Sequence, residues 1–419
     1  MPYSYLKKVN ERKRKKVIDL TSDDNIRINV RCKDGNFVAA PNYNKTKTIN
    51  FNKKTCNKTY YLDGDEVYVY LSDKKIHLIK SSILVPMKAV TTYNNAPVLV
   101  KILYEGKSKL LIISSEGSCV ADNTGYTEVE VPACDCAFVF KDMLFLGKDN
   151  QIRFSARNNY TDFTSSLDGG GYINLPANSG KILDFAELYG ELFVICQKKI
   201  FKIIPYNERD DYKVVQIKTG YINILEDTVA SSLDKIMFIS DLKPCTFDGT
   251  TVKCFDSILG KYKATISNGG GIFSNYYTAK CYTQMHGNVI YCKDFDGGDE
   301  FFIQDRVIIV KNSPYGINTA NNEVLTFSEK GRSYNYVYMP DIDLGTTETK
   351  FITNISLITS ENTSLCVEGR FGSKNYNFSL GHQQVQCAME SDYFYFYFES
   401  SSISFQVKEL TVEYAIKGE

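Results

Sequence analysis

Leu144-Phe145-Leu146-Gly147-Lys148-Asp149-Asn150-Gln151-Ile152-Arg153-Phe154 reads as a hairpin: an apolar strand, a short polar turn, and a second strand that presents side chains outward. The order returns at Leu192-Phe193-Val194-Ile195-Cys196-Gln197-Lys198-Lys199-Ile200-Phe201-Lys202 and, more loosely, at Met237-Phe238-Ile239-Ser240-Asp241-Leu242-Lys243-Pro244-Cys245-Thr246-Phe247. Around these hairpins, units of roughly 40–50 residues can be drawn, the size of a propeller blade. Cys136–Leu175 and Ile182–Ile222 each hold four strand signals, Ala89–Val131 holds three, and Thr228–Phe255 and Tyr277–Asp305 continue the order less clearly.

Elsewhere the dominant hydrophobic period is two, as in Glu66–Leu71, Thr127–Val131 and Val407–Tyr414. Turn signals at Asp34-Gly35, Asp63-Gly64, Asn94-Asn95, Asp248-Gly249 and Asn321-Asn322 separate the runs. Only Leu6–Val17 has a helical pattern. The chain is therefore expected to be all-β, with a β-propeller of five to seven blades followed by a C-terminal β-sandwich. The expected domains are a basic arm over 1–24, a propeller over 25–332 and a sandwich over 333–419.

Composition narrows the chemistry. The 419 residues carry 49 Lys and Arg against 49 Asp and Glu, so no bulk affinity for nucleic acid or membrane follows. Tyr and Phe are abundant, at 30 and 25, and Trp is absent, which counts against indole stacking on sugars. The 12 cysteines have no regular spacing and several sit in apolar runs, so reduced buried thiols are expected rather than a disulfide framework. No signal-peptide pattern opens the sequence, and no apolar run reaches the roughly 18 residues of a membrane helix.

No constellation reads as catalytic. His77, His286 and His382 fall in different units. Cys134-Asp135-Cys136 lacks a second pair for a zinc site. Asp294–Glu300 gathers four carboxylates, yet its spacing departs from a calcium loop, and an acidic hairpin is the plainer reading. The glycine triplets at Gly169–Gly171 and Gly269–Gly271 lack the Lys-Ser/Thr of a phosphate loop. No catalytic, cofactor or metal residue is assigned.

Two stretches are instead candidate interfaces. Lys13, Arg14, Lys15 and Lys16 end a basic run suited to a solvated arm or to docking on an acidic neighbour. In Tyr393-Phe394-Tyr395-Phe396-Tyr397-Phe398 the alternation puts Phe on one face, toward the core, and Tyr393, Tyr395 and Tyr397 on the other. That Tyr face is either a subunit contact or a second packed face.

Gln151–Phe163 with the hairpin Ile182–Ile204, and Asp341-Ile342-Asp343-Leu344-Gly345 with Lys350-Phe351-Ile352 and the terminal strand Val407–Ile416, resemble the propeller-containing tail hub, nozzle and packaged-DNA stabilisation proteins of short-tailed bacteriophages. The resemblance implies a structural virion protein, assembled in the host cytoplasm. It implies a homo-oligomeric, commonly hexameric ring below portal and adaptor proteins, with tail fibre or needle proteins as further partners. Packaged DNA would pass through its lumen without sequence-specific binding. A receptor- or glycan-binding adhesin is the alternative from another class, and a propeller glycosidase is a third.

Overall fold

The computed structural model describes residues 13–22, 25–62, 66–164, 170–205, 212–284, 286–304, 306–331 and 334–417. Two compact units are present: Lys45–Ile290 with Asp305–Thr326, and Met1–Asn44 with Tyr291–Gln304 and Phe327–Glu419.

The larger unit is built from successive antiparallel sheets, all but the last laid down in chain order. Blade 1 comprises Cys56–Leu62, Glu66–Leu71, Ile76–Lys80 and Ile83–Pro86; blade 2 comprises Val98–Tyr104, Lys107–Ile113, Ser118–Ala121 and Tyr126–Val129. Blade 3 runs Cys136–Phe140, Met143–Lys148, Gln151–Phe154 and Gly171–Asn174, and blade 4 runs Ile182–Leu188, Glu191–Cys196, Ile200–Pro205 and Tyr212–Gln216. Blade 5 is Ala230–Ser231, Ile236–Ser240, Lys243–Phe247 and Val252–Cys254. Blade 6 begins with Thr265–Phe273, Tyr276–Thr283 and Gly287–Asp294. Blade 7 takes Ile308–Ile309, Tyr315–Asn318 and Glu323–Ser328 and borrows its outermost strand, Asn42–Thr48, from the other end of the sequence.

First strands meet first strands from blade 5 through blades 6, 7, 1, 2 and 3 to blade 4, and blades 4 and 5 meet through a shared core of Phe193, Ile195, Phe238 and Phe247. This is a seven-bladed β-propeller. Its ring is closed by chain ends that are far apart in sequence: Thr46 Oγ1 donates to Val324 O at 3.1 Å, and Ile49 N to Asn322 O at 2.9 Å.

The apolar runs that looked like hairpin strands are the second strands of the blades, and their position explains why they do not alternate with polar residues. Each lies between two neighbouring sheets, so both of its faces are covered. Phe145 points into the core shared by blades 3 and 4, whereas Leu144 and Leu146 point into the core shared by blades 2 and 3. Leu192, Val194 and Cys196 face back toward blade 3, while Phe193 and Ile195 face blade 5. The period of two survives as a division between two apolar cores.

The smaller unit has two sheets. One has the order Val30–Lys33, Asn36–Ala39, Gln406–Ile416, Lys350–Thr359, Gly381–Ser391, with Arg14–Val17 also paired to Gln406–Ile416. The other runs Glu300–Ile303, Ile26–Ile28, Asn335–Ile342, Phe394–Ser400, Thr363–Gly369, Gly372–Phe378. They share one core: Val337, Met339, Leu365, Val367, Phe394, Phe396 and Phe398 meet Phe37, Ile352, Ile355, Leu357, Val407, Leu410 and Val412.

Three expectations change here. The helical reading of Leu6–Val17 gives way over its described part, because Arg14–Val17 is a strand antiparallel to Thr411–Tyr414; residues 6–12 lie outside the described residues. The boundaries at 24 and 332 differ from the observed units, since strands within 14–39 and 300–303 hydrogen-bond into the sheets that hold the C-terminal strands. Such long-range pairing leaves no local pattern. The cysteines include one disulfide, Cys245–Cys254, across the outer hairpin of blade 5, where the two residues face each other in register with Cα atoms 4.0 Å apart. Cys56, Cys119, Cys136, Cys196 and Cys387 are buried thiols, Cys196 at the end of the apolar run Leu192–Cys196.

Candidate functional site

The strand Phe394–Ser400 divides its side chains as its alternation predicts. Phe394, Phe396 and Phe398 are fully buried, whereas Tyr395 and Tyr397 are half-buried on the opposite face and Tyr393 is 41% exposed. Register with the flanking strands builds this face outward. Tyr338 lies opposite Tyr397 and Tyr336 opposite Glu399 on one side, and Cys366 and Glu368 lie opposite Tyr397 and Tyr395 on the other.

The rings form a cluster. Tyr338 stacks on Tyr395 with centroids 6.2 Å apart and planes at 7°, and tilts against Tyr397 at 4.9 Å. Tyr397 Oη donates to Glu368 Oε2 at 2.8 Å. A bulge between Met339 and Ile342, with Asp341 at φ 50°, brings a carboxylate beside Tyr395. The phenols stay protonated well beyond neutral pH. Asp341's charge raises Tyr395, while burial is the main cause for Tyr338 and for Tyr336, which is pushed up to about 12. Asp341, Glu368 and Glu399 are all exposed, so the face is aromatic and acidic. Beyond Glu399 a groove of about 510 Å³ opens between Tyr334, Asn362, Ser364, Asn377 and Ser401.

Tyr336 and Tyr338, which the local alternation around Tyr393, Tyr395 and Tyr397 does not include, join this face through cross-strand register. Their signal was present, because Tyr334-Asn335-Tyr336-Val337-Tyr338-Met339 alternates in the same way.

The basic residues lie on the other sheet. Lys13, Arg14 and Lys15 are exposed and Lys16 is half-buried, with Lys15 opposite Glu413 and Lys16 opposite Val412. Ile18 continues the strand by donating its N–H to Leu410 O at 2.9 Å, so this segment is held against the sheet. Lys16 Nζ reaches the Gly345 turn. Nearby, the fully buried Lys350 donates to Asp392 O at 2.7 Å and stands 6.0 Å from the Tyr393 ring centroid. The structure thus brings Lys16 and Tyr393 toward one end of the unit, and sets Lys13–Lys15 apart from Tyr395 and Tyr397.

The remaining candidates are occupied structurally. In Asp294–Glu300, Asp294 Oδ1 accepts from the N–H groups of Asp296 and Gly297. Asp299 pairs with Arg27 at 3.0 Å, and Glu300 with Lys293 at 3.1 Å. Among the described residues, no group of three or more His, Cys, Asp or Glu side chains could hold a metal ion. Burial pushes the Cys134 thiol up to about 12 and Cys136 well above its ordinary value, as for small apolar groups. His77 pairs with Asp73 at 3.0 Å and burial lowers its pKa; burial also lowers His286, and His382 sits opposite Ile358 on a separate strand. Of the glycine triplet Gly169–Gly171, Gly169 lies outside the described residues.

No family model and no curated protein matches the sequence. Among solved structures, the extracellular domain of the one-component system BT4673 from B. thetaiotaomicron aligns at TM-score 0.45 and 12% identity over 83% of this chain, which spans only 48% of that chain. YCF48 bound to D1 peptide aligns at 0.43 and 8% over 69% of this chain and 95% of that one. The Neurospora crassa Pan2 WD40 domain aligns at 0.43 and 9% over 68% and 95%. The chain is a β-propeller protein. The propeller is read from its own strand order, since likenesses of this level carry no argument about activity.

Proposed function

We propose that this protein is a structural subunit that works by assembly: a ring-forming tail hub or nozzle component of a short-tailed bacteriophage virion, seated below portal and adaptor and continuing the DNA channel. The observation that carries the reading is the outward face of Tyr336, Tyr338, Tyr395 and Tyr397. Tyrosine is favoured in protein contacts because its ring supplies apolar area while its hydroxyl keeps a polar partner. The resemblance of Gln151–Phe163 and Asp341–Ile352 to such tail proteins supplies the setting. A rigid propeller suits this role, because closed rings need subunits whose contact surfaces keep a fixed angle. Retention of packaged DNA belongs to the same proposal.

Solution mass and negative-stain images test it. The expected result is a closed ring, commonly six-fold, with a central hole. A compact monomer at all accessible concentrations would overturn the reading.

A further inference from the structure

The aromatic face and the basic strand belong to the same unit but to different sheets. Asp341, Glu368 and Glu399 lie exposed among Tyr336, Tyr338, Tyr395 and Tyr397 on the sheet that contains Phe394–Ser400. Lys15 lies exposed on Arg14–Val17, which is paired to Gln406–Ile416 in the other sheet, and Lys13 lies exposed just before it. Arg14–Val17 pairs with that strand alone in the described sheets.

Within one chain the two surfaces do not meet. The basic strand is fixed by its register with Thr411–Tyr414, and its continuation is fixed by Ile18 and Leu20 in the core. Between two copies they are complementary in charge, and an ammonium or guanidinium over a tyrosine ring flanked by carboxylates gains from both partners.

We propose that the acidic tyrosine face of one subunit receives the basic Lys13–Lys16 edge of a second copy of this chain. This rests on the ring reading above and specifies its contact. The patch on one copy differs from the patch it meets on the next, so the interface is head-to-tail. Repetition of such a contact makes a closed ring when the rotation closes, and a filament when it does not. A two-fold dimer through the tyrosine face alone would bring three carboxylates against three carboxylates. The contact is also sensitive to salt, because exposed charges are screened over about 10 Å at 0.1 M.

The test uses the full chain in three charge variants followed by light scattering and native mass measurement, with circular dichroism checking each fold. Lys13→Glu with Lys15→Glu should raise the concentration needed for assembly at least tenfold, and Glu368→Lys with Glu399→Lys should do the same. Mixing the two variants restores an acidic edge facing a basic face and should recover assembly. Should the second variant misfold, Glu399→Lys alone replaces it, since Glu368 accepts from Tyr397 and Glu399 stands outside that bond. A wild-type chain that stays monomeric overturns the ring reading itself. A wild-type oligomer that both reversals leave intact, or that mixing fails to restore, overturns this contact and leaves the ring reading standing.

Discussion

Lys311 Nζ donates to Asp184 Oδ2, joining the turn after the first strand of blade 7 to the first strand of blade 4. Nothing in the sequence marks either residue. The turn is held from blades 5 and 6 as well: Ser231 N donates to Asn312 Oδ1 at 2.9 Å, and Asn312 N to Gly270 O at 2.8 Å. The pair therefore links blades that are not neighbours, near where the first strands converge.

Removing one partner should cost more than removing both. Burial works to lower Lys311's pKa, but the charge and hydrogen bond of Asp184, with Cys136 and Asp227 adding, leave it raised. The stabilisation is thus fully present below the unfolded lysine value and is lost as pH rises through the higher folded value. Lys311→Met or Asp184→Asn should each destabilise by about 1–3 kcal/mol, between the figures for exposed and buried pairs. Lys311→Met combined with Asp184→Leu should recover part of that loss. Denaturant midpoints at pH 7 measure all three variants.

Asp299 supplies a pH signature of opposite origin. Burial raises its pKa to about 6 in spite of the Arg27 guanidinium 3.0 Å away. A carboxyl raised above its unfolded value stabilises most when protonated. Its contribution is full below about pH 4 and falls away as pH rises through about 6, by roughly 3 kcal/mol at most. Asp299→Asn removes this titration while keeping the shape. The stability difference between wild type and variant should slope between pH 4 and 6 and be flat above about 7, as read by urea unfolding at each pH.

Local pattern made the blades legible and left their closure hidden. The second strands announce themselves because burial on both faces demands unbroken apolar runs such as Leu192–Cys196. Cys245 and Cys254 face each other because they stand equally far from the centre of the four-residue turn Asp248–Thr251 that joins Phe247 to Val252. Asn42–Thr48, by contrast, has four exposed residues and a polar sequence, and it becomes a blade strand only because Glu323–Ser328 offers an edge. Arg14–Val17 is the same case: a basic segment with helical spacing is taken up by the edge of Gln406–Ile416. At the candidate face, alternation revealed Tyr393, Tyr395 and Tyr397. The acidic character comes from Glu368 and Asp341, which cross-strand register and a bulge bring there.

Gly147 marks how tightly blades 3 and 4 approach. A Cβ at this position would stand 2.7 Å from Cys136 Sγ and 2.8 Å from Ile182 Cγ2. Both neighbours are buried in the shared core and have little room to retreat. Gly147→Ala should therefore destabilise by about 1–3 kcal/mol through overpacking, although alanine is otherwise tolerated in strands. Adding Cys136→Ala, which frees space on one side, should reduce the penalty. Thermal melts of the two variants decide it, and an unchanged midpoint for Gly147→Ala would mean the blades can separate at no cost.

Phe396 and Tyr395 are adjacent on one strand and should respond unequally to truncation. Phe396 is fully buried among the aromatic and aliphatic side chains of both sheets, so Phe396→Ala leaves a cavity and should cost about 3–5 kcal/mol. Tyr395 touches Tyr338 and the Asp341 carboxylate but is half-buried, so Tyr395→Ala should cost on the order of 1 kcal/mol. If the tyrosine face were a second packed core, the two losses would be alike. Stability is read by urea unfolding at protein concentrations low enough to favour monomer. Assembly is read separately by light scattering at high concentration, where Tyr395→Ala should weaken the ring with its fold intact. An oligomer unaffected by Tyr395→Ala would remove the main support for this face as a contact.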